Sequence, residues 1–355
     1  MTSTKYIGMD VHKENISIAV RTAAGKIVME CVIETKASTI LQSIDGLCGE
    51  IHLTFEEGTW AAWLHDLLKP QVSKVVVCDP RRNALLQEGN QNDRVDARKL
   101  AELLQHNQLR SVYHRDHGLR TLKELVRSYL TITQDLTRVM TRVKAIYRSW
   151  AIPCSGQQVY APGYRAEWLA KINEPGVRRR AEFYYQQLDA LGTVRQEVRR
   201  ELLTEAKKHP AWKRLCGIPS IGPIRAAVLL GILQTPHRFR SKRQLWTYSG
   251  VGIQTSSSAD HRVVQGQLER KKKQVEIRGL NRNYNHDLKN LFKGAAIVAT
   301  TKPGPFAEFY AKLLATGLRP EMARLTLARK IATIVLIVWK RGVCFDAQHL
   351  KPQTV

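Results

Sequence analysis

The residues of this 355-residue chain whose types and spacing could do chemistry are carboxylates. Asp10 directly follows a short apolar run at 5–9, and Glu56 with Glu57 ends another at 51–55. Asp93 and Asp96 open a helical pattern, and residues three apart on a helix share a face. Four carboxylates brought to one point repel unless a cation neutralises them. Hard oxygen ligands of this kind select Mg²⁺ or Mn²⁺. A cation so held can polarise a phosphodiester and activate an attacking oxygen. Singly, each residue has a plainer use: Asp93 as a helix N-cap, Asp96 in a favourable first turn, Asp10 in a turn, Glu56 or Glu57 at a solvated strand end. The set of four, in order and at strand and helix ends, favours the metal.

The elements that must position these side chains alternate. Residues 5–9, 16–21 and 27–33 carry strand-like apolar runs and predict three consecutive antiparallel strands. Helical spacing at 37–48 (Ile40, Leu41, Ile44, Leu47) precedes a strand at 51–55, a helix at 60–68 ending near Pro70, a strand at 75–78 and an amphipathic helix at 95–104. Three strands, then helix–strand–helix–strand–helix, is the element order of an RNase H-like α/β fold. There the first and fourth strands are neighbours, so Asp10 and Glu56 can face each other.

Beyond residue 110 the pattern becomes helical. Leu122, Val126, Tyr129, Thr133, Leu136, Met140, Val143 and Tyr147 follow 4,3,4,3 spacing, about four heptads of one helix. A second helix covers about 177–208 and opens on Arg178, Arg179 and Arg180. The pair predicts an antiparallel hairpin, a coiled-coil dimerising arm or a bundle within one chain. From residue 211, Gly217 and Gly222 bracket a tight turn before an apolar helix, a helix-hairpin-helix pattern in which glycine N–H groups approach a phosphate. Arg238, Arg240, Lys242 and Arg243 then interleave with aromatic residues, and Lys271, Lys272 and Lys273 form another phosphate-type cluster. The chain thus divides into an α/β domain (1–110), a helical region (111–210) and a mostly α-helical basic domain (211–345).

Charge follows the same division. The net charge is +25, yet residues 1–110 hold 13 Lys+Arg against 14 Asp+Glu, and the remainder holds 43 against 17. A basic surface of that size attracts a polyphosphate, with counterion release driving binding. The six cysteines are scattered without a CxxC pair and read as reduced cytosolic thiols. No signal peptide is read at the N-terminus. The longest apolar run, 331–339, is far short of the ~20 residues of a membrane span. A cytoplasmic, nucleoid-acting protein is expected, with no membrane partner.

Four stretches carry a resemblance to a known family: Ile7-Gly-Met-Asp-Val-His-Lys13; Asp79-Pro-Arg81-Arg82 with Asn92-Asp93-Arg94-Val-Asp96-Ala97; Gly217-Ile-Pro-Ser-Ile-Gly222-Pro223; and Arg238-Phe-Arg-Ser-Lys-Arg-Gln-Leu245 with Tyr248-Ser-Gly250. Together they resemble the insertion-sequence 110 family of DEDD-type transposases over nearly the whole chain. The resemblance implies a RuvC-like domain in which Asp10, Glu56, Asp93 and Asp96 hold Mg²⁺. It also implies a C-terminal serine nucleophile that forms a phosphoserine link to DNA. Counted from Gly250 that position is Ser258. Ala259 stands where the family has glycine, so Ser256 and Ser257 are alternatives, as Glu57 is to Glu56. Further implied are donor and target DNA, a non-coding bridge RNA pairing with both, and homo-oligomers. The competing reading is a junction-resolving or structure-specific nuclease that uses the carboxylates without serine or guide RNA.

Overall fold

Alternating apolar residues build three strands, β1 (Lys5–Val11), β2 (Asn15–Thr22) and β3 (Ile27–Glu34), paired antiparallel in sequence. The computed structural model describes residues 4–80, 92–114, 119–256, 261–264, 267–270 and 276–350. After β3 come α1 (Ala37–Asp45), β4 (Ile51–Glu56), α2 (Ala61–Leu68), β5 (Lys74–Cys78) and α3 (Asp93–Gln105). The sheet order is β3-β2-β1-β4-β5, with β4 parallel to β1 and β5 parallel to β4. Ile7 and Met9 point into a core shared with Ile40, Ile44, Leu64 and Leu68 of α1 and α2. The alternate residue, Gly8, faces α3. Residues 110–112 add to the β5 edge: Val112 N donates to Val77 O (2.7 Å), and Asp79 N to Arg110 O (3.1 Å). This α/β unit spans Met1–Gly118, and a second, mostly helical unit spans Leu119–Val355.

The second unit begins with α4 (Arg120–Ser149), α5 (Arg165–Ala170) and α6 (Pro175–Lys207), and α4 packs along α6. The heptad residues of α4 serve two cores of the same chain. Val143 and Tyr147 pack with Val159, Trp168, Tyr185 and Leu188. Leu122, Val126 and Tyr129 instead join Leu202 and Ala206 of α6 in the core of the following helices. Those are α7 (Trp212–Cys216), α8 (Gly222–Leu233), α9 (Lys242–Tyr248), α10 (His286–Thr301), α11 (Pro305–Ala315) and α12 (Pro320–Arg341). The heptad stripe is therefore an intramolecular hairpin seam. Among the described residues between α9 and α10 run the short strands β6 (Ile253–Ser256), β7 (His261–Val264), β8 (Gln267–Arg270) and β9 (Glu276–Leu280), pairing β6 with β9 and β7 with β8. The apolar run of 331–339 lies on α12, with Ile331, Val335 and Val338 fully buried. Among the described residues, no helix is long and apolar enough to cross a membrane.

Gln158–Tyr160 and Pro162–Tyr164 form two 3-10 turns that close the hairpin tip. Val159 is buried there, and its carbonyl accepts from Tyr185 Oη (2.9 Å). Arg165 locks this tip. Its Nη1 and Nη2 take both oxygens of Asp189 at 2.5 and 2.6 Å, its Nε and Nη2 donate to Tyr160 O, and the guanidinium lies 4.8 Å over the Tyr185 ring. We expect Arg165→Met to cost about 1–3 kcal/mol in urea unfolding, because bidentate charged hydrogen bonds are lost and a carbonyl is left unpaired. The bond from Arg165 holds the Asp189 carboxyl below its ordinary pKa. This contribution is thus complete at neutral pH and disappears as pH falls through the lowered value. An acid titration of the stability difference between wild type and variant measures that loss.

Candidate metal centre and nucleic-acid interface

Asp10 lies near the end of β1, two residues after Gly8 and therefore on the same face. The parallel register Met9↔Phe55 puts Glu56, the last residue of β4, beside Asp10 on the neighbouring strand. On that face α3 lies against β1. A Cβ at Gly8 would stand 2.1 Å from Ala97 O and 2.5 Å from Ala101 N, so only glycine admits the helix this closely. The helix is also pinned by Arg98 to Glu30, by Arg21 to Glu102 (3.2 Å) and by Gln105 Nε2 to Ala23 O (2.8 Å). Its N-cap is Asn92, whose Oδ1 accepts from Val95 N at 2.9 Å. The capping role open to Asp93 in the sequence thus belongs to Asn92, and Asp93 and Asp96 occupy the first turn.

These constraints converge on His12. Its Nε2 lies 3.1 Å from Asp10 Oδ2 and 3.4 Å from Asp93 Oδ1. One ligand atom from each of the three residues falls within 4.8 Å of the others, a grouping able to hold a metal ion. Oδ1 of Asp96 is buried with no hydrogen-bond partner among the described residues. Burial raises the pKa of Asp10, and the charges of Asp93 and Asp96 raise it further, against the lowering effect of His12. The pocket therefore disfavours the ionised form of Asp10, a deficit that a bound cation removes. The donor set suits a hard divalent ion.

Glu57 is engaged elsewhere. His114 Nε2 lies 2.6 Å from its Oε2, the His114 ring stacks on buried His65 at 5.2 Å, and Glu57 N donates to Cys78 O at 2.8 Å. Trp60 and Trp63 follow, half-exposed and edge to face at 6.0 Å. Sequence reasoning gave no role to His12 or His114. His12 carried a usable signal, since on a strand it shares a face with Asp10. His114 is far from Glu57 in sequence and carried none.

The expected phosphate-binding residues take several positions. Gly222 opens α8 with φ +53°, and the space where its Cβ would stand is open within 4 Å. Arg178 and Arg238 cap carbonyls: Arg178 donates to Ile172 O, and Arg238 to Ile232 O and Leu233 O. Arg179 pairs with Glu182 and stacks on Phe183, while Arg180 lies over Tyr184. Arg94, Arg240, Lys242 and Arg243 are exposed. Lys242 lies over Trp246, and its charge adds to burial in lowering the pKa of Lys330. Half-buried Arg225 and Arg329 donate to the carbonyls of Ser220 and Val251. Ser256 ends β6, opposite Glu276. Ser257, Ser258, Arg81, Arg82, Lys271, Lys272 and Lys273 lie outside the described residues.

Two family models match this chain. A DEDD-type transposase model covers residues 7–149, and a model described as Transposase IS116/IS110/IS902 family covers 212–311. The chain belongs to this transposase family. It is accordingly a DNA transposase, an enzyme of DNA recombination. A comparison with curated proteins gave no match. The first matched span holds Asp10, Glu56, Asp93 and Asp96 in D-E-D-D order, and the second opens at α7.

Two outcomes are expected at this centre of the transposase. Gly8→Ala forces a methyl group into helix backbone; about 1–3 kcal/mol of stability or more is lost, as for overpacking at a rigid contact. DNA cleavage falls with it, which chemical denaturation and a strand-cleavage assay report together. Mn²⁺ at about a hundred times its Kd stabilises the wild type by about 2.7 kcal/mol. The same addition leaves Asp10→Asn nearly unmoved in thermal unfolding.

Proposed function

We propose that this protein is an RNA-guided transposase whose first unit is an RNase H/RuvC-like nuclease. Asp10, Glu56, Asp93 and Asp96 would hold Mg²⁺, or Mn²⁺, and Ser258 would be the nucleophile. The observation that carries the reading is the meeting of Asp10 and Asp93 where α3 lies on a sheet ordered β3-β2-β1-β4-β5, with a buried oxygen of Asp96 that has no hydrogen-bond partner among the described residues. When bound, the cation supplies Lewis-acid polarisation of the scissile phosphodiester. Ser258 Oγ bonds to phosphorus as the bond from phosphorus to the departing deoxyribose oxygen breaks. The serine gives up its proton, the departing oxygen gains one, and the phosphoserine link retains the energy for rejoining.

The basic second unit then serves as the polyanion surface for donor DNA, target DNA and a non-coding bridge RNA. Base pairing supplies sequence, and the protein reads backbone and shape. Supporting this division are the charge of residues 111–355, the open glycine turn at Gly222 and the exposed cations of α9. Homo-oligomers would form through surfaces other than the α4 heptad stripe, which the hairpin buries. The protein would work in the cytoplasm, at the nucleoid.

Ser258→Ala is expected to abolish covalent protein–DNA adducts on denaturing gels and to leave RNA and DNA binding intact. Adducts at the wild-type level in that variant would remove Ser258, and parallel Ser256→Ala and Ser257→Ala variants identify the nucleophile. Metal-dependent hydrolysis to free ends, with no adduct in the wild type and no defined RNA co-purifying, would replace this reading with the structure-specific nuclease.

A further inference from the structure

We infer that His12 is a nitrogen ligand of the divalent cation, and so sets which cation the centre prefers. The inference rests on the metal reading above and adds a residue outside the four carboxylates. His12 sits where β1 hands over to β2, and its backbone is fixed on both sides. His12 N donates to Asn15 O at 2.9 Å, and His12 O accepts from Thr35 Oγ1 at 3.0 Å. The imidazole is thereby held over the strand end, with Nε2 facing both Asp10 and Asp93.

The separations have the dimensions of a coordination edge. Donors about 2.1 Å from an octahedral ion lie about 3 Å apart when adjacent. Nε2 is 3.1 and 3.4 Å from the two carboxylate oxygens, and all three atoms lie within 4.8 Å, so a single ion reaches them with small side-chain adjustments. One turn along α3 from Asp93, Oδ1 of Asp96 is buried with no hydrogen-bond partner among the described residues, a separate sign of a group that awaits a positive partner. An imidazole among carboxylates biases a site away from Mg²⁺, which keeps oxygen and water ligands, toward the first-row transition ions of which Mn²⁺ is the hardest. The alternative role for His12 is a hydrogen bond from Nε2–H to Asp10 that only orients the carboxylate.

The deciding experiment is pulsed electron paramagnetic resonance of Mn²⁺ bound to the full-length protein, with titrations of Mn²⁺ and Mg²⁺ by calorimetry. Variants are His12→Ala, His12→Gln and Asp10→Asn, with circular dichroism to confirm folding; the half-exposed His12 side chain makes both of its replacements tolerable. Gln keeps an N–H donor but offers no imidazole nitrogen. A ¹⁴N coupling in the wild type that vanishes in both His12 variants is expected. Mn²⁺ affinity should fall about tenfold or more, as losses of even outer partners do, and Mg²⁺ affinity should fall less. Mn²⁺ binding that Asp10→Asn destroys, but that shows no ¹⁴N coupling or keeps it without His12, would overturn the ligand role and leave the carboxylate centre standing. Wild-type Mn²⁺ binding in Asp10→Asn would overturn both.

Discussion

Everything the first unit can do depends on a helix lying against a strand with no side chain between them. At Gly8 the sheet presents a bare Cα to the backbone of Ala97 and Ala101. Close packing tolerates no methyl there, because both neighbours are main chain and cannot rotate away. The contact fixes the distance from β1 to α3, and so the distance from Asp10 to Asp93 and Asp96. The outer ties of Arg98, Arg21 and Gln105 set the direction of α3. Three partly exposed polar ties and one tight apolar contact thus position a cluster of like charges. That combination suits a cluster whose own electrostatics push its members apart.

The same electrostatics explain the unequal distribution of charge. A carboxylate centre needs an acidic setting to attract a cation, whereas its substrate is a polyanion that such a setting repels. The chain resolves the conflict by segregation: residues 1–110 are close to neutral overall, and the excess of Lys and Arg lies beyond them. Within the second unit half-buried Arg225 and Arg329 donate to carbonyl oxygens, and burial, with the charge of Lys242 adding to it, lowers the pKa of Lys330.

Much of this was legible in the sequence because period-2 and period-3.6 patterns report local structure directly. Strands β1 to β5 and helices α1 to α3 fall within a few residues of their expected positions, and Asp93 and Asp96 share the helix turn that their spacing implies. Other features depend on partners distant in the chain. The hold of His114 on Glu57 comes from an edge segment that no local pattern places beside β4. The two cores along α4 could not be separated by heptad spacing, which is satisfied equally by a second copy, by α6 and by the C-terminal helices. That Arg178 and Arg238 donate to carbonyls of their own neighbourhood had no local signal either, because a guanidinium in sequence does not show which acceptor it will meet.

The division of α4 between two cores has a mechanical consequence. At 1.5 Å per residue its 30 residues span about 45 Å. Its first third is anchored in the core around α8, where Gly231 lets Val126 and the carbonyl of Leu122 approach. Its last third is anchored at the hairpin tip, which Arg165, Asp189 and the Tyr147–Tyr185 hydroxyl pair close. A helix held at both ends and backed by α6 along its length resists bending better than a free one. The exposed Arg179–Phe183 stack and the neighbouring Arg180 are carried on this beam near the tip. A polyanion bound there would act on the same unit that carries the Gly222 turn. The hairpin therefore holds its Arg179–Arg180 end and the core around α8 apart along a continuous helix pair, which a flexible linker of the same length could not do.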